Sequence, residues 1–84
     1  MRAPVVDSML KKLEIAADEQ GFPIDDNEDY KAVCKIVTDY VYDGIKPTTN
    51  KKLFVAQTLQ NLYRGLGLDY YKTLDELIEK EWNK

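Results

Sequence analysis

The segment 48–68, TTNKKLFVAQTLQNLYRGLGL, constrains the fold most, because its apolar residues recur at a helical period and both of its ends carry boundary signals. At 100° per residue, Val55, Leu59, Leu62 and Leu66 fall within about 60° of one another. Ala56 and Tyr63 flank that stripe, and Gln57, Gln60, Asn61 and Arg64 occupy the other side. Thr49 or Asn50 can accept a bond from a free amide at the start. Gly67 suits the left-handed conformation that ends a helix, with Leu68 folding back on the last turn. Gly65 weakens the element from within, by roughly 0.5–1 kcal/mol relative to alanine. The pattern predicts a helix over 50–66.

Three further helices follow from the same reasoning. Pro4 suits a first turn, where its missing amide hydrogen costs nothing. After it Val6, Met9, Leu10, Leu13, Ala16 and Ala17 form one apolar side, with Lys11, Glu14 and Asp18 opposite, which predicts a helix over 5–20 ending at Gly21. Phe22 and Ile24, in the loop GFPIDDN, are expected to tuck over the open end of the bundle. The segment 28–43 is rich in β-formers, among them Ile36, Val37, Thr38, Tyr40, Val41 and Tyr42, so residue propensity favours a strand. Periodicity points the other way: Tyr30, Val33, Cys34, Val37, Tyr40 and Val41 lie within about 120° on a helical wheel, and Lys35 and Asp39 fall one turn apart. The last helix is expected over 74–83, opened by a Thr73–Glu76 capping box, with Leu74, Leu77, Ile78 and Trp82 on its apolar side. Trp82 is expected to cover the edge of the core. The fold class is therefore all-α, a small antiparallel bundle of four amphipathic helices in a single domain spanning 1–84.

Composition removes several chemistries. With no histidine and a single cysteine, Cys34, the chain excludes an internal disulfide, Ser-His and Cys-His nucleophile pairs and the usual zinc sites. Cys34 lies within the apolar arc and reads as a small packed hydrophobe rather than a nucleophile. Asp25, Asn27 and Asp29 alternate like the opening of a calcium loop. The turn position that wants glycine is Tyr30, however, and the position that wants a bidentate glutamate is Ile36. Asp26 or Asn27 is expected instead to cap the second helix. Carboxylates one turn apart, Asp39 with Asp43 and Asp75 with Glu79, read as solvated charges, so no catalytic residue, metal or cofactor is expected. No run of apolar residues is long enough for a membrane span and no signal pattern opens the chain, which points to the cytoplasm.

Charge is unevenly distributed. The net charge is −3, yet 45–68 holds Lys46, Lys51, Lys52 and Arg64 and no acidic residue. Lys51 and Lys52 fall in a first helical turn, where the dipole disfavours cations. With Thr48 and Thr49 they form a candidate contact for an anion or an acidic partner; the plainer alternative is that both lysines lean outward into solvent. Ile15, Tyr42, Phe54, Tyr70 and Tyr71 have no inward position on the helical wheels and are candidate apolar contacts.

These features favour a non-enzymatic protein–protein interaction module: a small inhibitor, immunity factor, adaptor or phage accessory protein acting through a helical surface. Its partner is expected to be another protein or a second copy in a homo-oligomer. In size, acidity and helix count the chain resembles bacteriocin immunity proteins, without a shared motif. The alternative is a nucleic-acid binder using 45–68; overall acidity and four basic residues make that the weaker reading.

Overall fold

The computed structural model of the protein describes residues 4–69, 76 and 78–80. It is all-α, with no strand among the described residues. Helix α1 spans Pro4–Gln20, a 3-10 turn spans Ile24–Asp26, α2 spans Glu28–Asp43 and α3 spans Thr49–Gly65. Glu76 and residues 78–80 are also helical, which agrees with the expected final helix; the rest of 74–83 lies outside the described residues, as do Thr73, Leu74, Leu77 and Trp82.

Periodicity prevails over propensity in α2. Tyr30, Val33, Val37 and Tyr40 are all buried on one side of it, and Lys35 pairs with Asp39 at 3.3 Å on the outside. Burying a continuous stripe outweighs the intrinsic preference of β-branched residues, which spans only about 1 kcal/mol per site. The start of α2 is fixed by Asn27, whose side chain accepts from the Tyr30 amide at 2.9 Å.

Helices α1 and α3 end by the same device. Gly21 and Gly67 both hold φ near +70°, at 69° and 74°. The next residue then bonds back across the last turn, from the Phe22 amide to the Ala17 carbonyl and from the Leu68 amide to the Tyr63 carbonyl, each at 2.8 Å. Gly65, the weak point foreseen within the element, is the last residue of α3, one residue short of the expected end, and Leu66 is its C-cap. Its start differs slightly from expectation: Thr48, rather than Thr49 or Asn50, is the cap and accepts from the Lys51 amide at 3.3 Å.

One core unites the elements. Val6, Leu13, Ala17, Val33, Val55 and Leu59 are fully excluded from solvent, and Ile78 brings the C-terminal segment into the same cluster. Long-range bonds set the directions of the helices. Gln20 Nε2 donates to the Leu66 carbonyl, which places the end of α1 beside the end of α3. The Tyr30 hydroxyl, in the first turn of α2, donates to Glu14 in the second half of α1. Thus α2 runs opposite to its two neighbours. Tyr63, expected on the flank of the apolar stripe, is buried and its hydroxyl donates to the Met9 carbonyl at 3.2 Å, while the burial of Thr58 was not foreseen. Of the two loop residues expected to tuck inward, Ile24 is buried and Phe22 remains partly exposed.

Candidate contact surface at the junction of α2 and α3

Helix α2 ends at Gly44, and the chain crosses to α3 through a short connection in which only Pro47 is buried. Around that junction the apolar residues face outward. Tyr42 is 81% exposed, Ile45 54% and Leu53 61%, with Phe54 at the margin of exposure. At 1.5 Å of rise per residue, Leu53 lies about 7–8 Å along α3 from its cap, so all four sit within two turns of the junction. Lys46 and Lys51 are exposed among them, and Lys52 is half-buried. A cleft of about 200 Å³ runs from this surface along α3, lined by Lys52, Leu53, Ala56, Gln57, Gln60 and the C-terminal residues Ile78 and Glu79.

The structure separates the residues that the sequence suggested together. Lys46, Thr48, Thr49, Lys51 and Lys52 share the junction, but Arg64 is thirteen residues farther along α3 than Lys51, about 20 Å away along the helix axis. Within the junction the Thr48 hydroxyl already accepts the Lys51 amide, so part of the polar equipment for an anion is engaged internally. Tyr42 and Phe54 join the junction surface. Ile15 is on α1, 53% exposed beside a groove formed with Ala16, Tyr63 and Leu68. Tyr70 and Tyr71 lie outside the described residues. Ile45 and Leu53 were missed by sequence reasoning. The signal for Leu53 was available, because it falls on the same side of the wheel as Gln57, Gln60 and Arg64.

Elsewhere the titratable groups serve the fold. Burial raises the Tyr30 phenol far above its ordinary value, and its bond to Glu14 adds to the effect. Burial also raises the Cys34 thiol, partly offset by a hydrogen bond with Tyr30, which keeps the sulfur protonated and unreactive at neutral pH. Among the described residues no group of three or more His, Cys, Asp or Glu side chains is arranged to hold a metal ion, and no helix is long and apolar enough to cross a membrane. Compared with protein-family models, curated proteins and solved structures, the chain matches none.

Proposed function

We propose that the protein is a non-enzymatic interaction module that binds another protein through the surface at the α2–α3 junction. The observation that carries this reading is the exposure of Tyr42, Ile45 and Leu53, all within two turns of the α2–α3 connection, in a chain whose other apolar residues are mostly collected in one core. Large exposed apolar side chains cost solubility, and when grouped and rimmed by charge they mark contact sites more often than scattered ones do. The lysines around them supply orientation and a faster encounter with a partner. The roles of inhibitor, immunity factor, adaptor and phage accessory protein all fit a small scaffold that offers one such face, acting in the cytoplasm.

The test is affinity capture from cells that natively express the protein, followed by calorimetric titration of the purified partner with wild type and with Ile45→Asp/Leu53→Asp. The expected result is saturable binding by wild type and at least a tenfold weaker association for the variant, which should fold normally because both positions are exposed. Equal binding by the two proteins would remove the junction from the interface.

A further inference from the structure

On the outer face of α1, charge reverses sign about the exposed Ile15. Lys11 and Lys12 precede it by four and three residues, and Asp18 and Glu19 follow it by three and four. Positions three and four residues apart are neighbours on a helix surface, so these four side chains enclose Ile15, the basic pair toward the start of the helix and the acidic pair toward its end. All five residues are exposed. None of the four charged side chains is paired with another among the described residues. Two further carboxylates on α1 stand apart from the set: Glu14 accepts from Tyr30 on the side that faces α2, and Asp7 lies one turn before Lys11. Beside Ile15 runs an apolar groove of about 370 Å³ formed with Ala16, Tyr63 and Leu68. Lys12 stands at one end of this groove and Glu19 and Asp69 at the other; Arg64, exposed on α3, does not line it.

We propose that this face of α1 is a two-fold interface with a second copy of the chain, the two α1 helices meeting antiparallel at Ile15. A half-turn about an axis through Ile15 sets each residue before it in one copy opposite the residue equally far after it in the other. Lys11 then meets Glu19, and Lys12 meets Asp18, once on each side of the axis. A surface whose charge reverses sign about its own centre is its own complement under that rotation, and this assigns the face to a second copy rather than to an unrelated chain. A parallel arrangement would oppose lysine to lysine and carboxylate to carboxylate. The two Ile15 side chains meet at the axis and cover each other's groove, which removes apolar surface from water. Asp69 adds a carboxylate to the end that receives the partner's lysines. Exposed ion pairs add little strength, so the charges act mainly to fix orientation and register. The contact extends over about 12 Å of helix from Lys11 to Glu19. It is a weak dimer that closes at two chains, and it uses no residue of the α2–α3 junction.

Sedimentation equilibrium of the full chain tests this, up to a protein concentration of about 1 mM, where even weak association is populated. The wild type should pass from the 9.7 kDa monomer to a species of twice that mass and no further. Ile15→Asp should raise the dissociation constant at least tenfold. So should Lys11→Glu/Lys12→Glu and Asp18→Lys/Glu19→Lys, each of which surrounds Ile15 with charge of one sign. Mixed in equal amounts, those two double variants should associate again, because an acidic face now meets a basic one. Asp25→Lys/Asp26→Lys makes the same change of net charge at exposed positions off this face. It should dimerise within about twofold of wild type and should not recruit the Lys11→Glu/Lys12→Glu variant. Ile45→Asp/Leu53→Asp should dimerise normally, so this inference and the reading of the α2–α3 junction fail separately. Circular dichroism of each variant establishes that it is folded. A wild type that is monomeric at every concentration, growth beyond two chains, a dimer untouched by Ile15→Asp, or no association in the mixture would each overturn the inference. If the wild type is monomeric and Ile15→Asp instead weakens binding of the captured partner, the face belongs to that protein and the dimer is refuted.

Discussion

The Nε2 amide of Gln20 donates to the main-chain carbonyl of Leu66 across 2.7 Å, joining the last residue of α1 to the cap of α3 over 46 positions of sequence. That carbonyl belongs to a helix terminus and has no successor in the helix to bond it, so a side chain from a neighbouring element takes the role. The bond fixes the relative height of two helices that run in the same direction and holds that end of the bundle together.

Replacing Gln20 by alanine should therefore destabilise the protein by about 0.5–1.5 kcal/mol, the net worth of one hydrogen bond. Urea denaturation of both proteins measures it. An unchanged midpoint would show that solvent satisfies Leu66 equally well.

Leu13 and Leu59 are completely buried at the centre of the core. Truncating either to alanine should cost about 2–5 kcal/mol, a large part of the 5–15 kcal/mol typical of a whole domain. Thermal unfolding followed by circular dichroism should show a large fall in Tm for both. By contrast Leu53→Ala, at an exposed site, should change Tm little, and a loss comparable to Leu59→Ala would mean that Leu53 is a core residue.

Stability should decline in alkali. Burial raises the phenols of both Tyr30 and Tyr63, which means that the folded state prefers them protonated. Such groups contribute fully below the ordinary tyrosine pKa of about 10, and the contribution is lost as pH rises from there toward the raised folded values. Denaturation midpoints between about pH 8 and pH 11 should fall for wild type and fall less steeply for Tyr30→Phe. Parallel curves would argue that Tyr30 is as accessible when folded as when unfolded.

A nucleic-acid role calls for the basic residues to act together, and α3 carries Arg64 far from the three lysines. Fluorescence anisotropy with duplex and single-stranded DNA at low salt should show no binding below the high micromolar range. Tight binding that weakens steeply with salt would restore that alternative.

Much of this architecture is legible along the chain, because it depends on local periodicity. The inward row of α2, the Gly67–Leu68 ending and the Lys35–Asp39 pair need only a helical wheel to be read. What could not be read depends on how the helices meet. The burial of Thr58, the bond from Tyr63 to Met9 and the separation of Arg64 from the lysines all follow from the placement of one helix against another. The candidate surface was half legible for the same reason. Tyr42 and Phe54 stood out as aromatics without an inward position, and the wheel places Leu53 with Gln57, Gln60 and Arg64, whereas Ile45 lies in the connection, where no helical period says which way it faces.

The most direct test of the interaction surface is hydrogen–deuterium exchange of the protein, free and bound to its captured partner, read by mass spectrometry. Protection gained on binding should concentrate in peptides covering the end of α2, the connection and the first turns of α3, and should vanish in Ile45→Asp/Leu53→Asp. Protection confined to the outer face of α1 around Ile15, or spread evenly over the bundle, would contradict it.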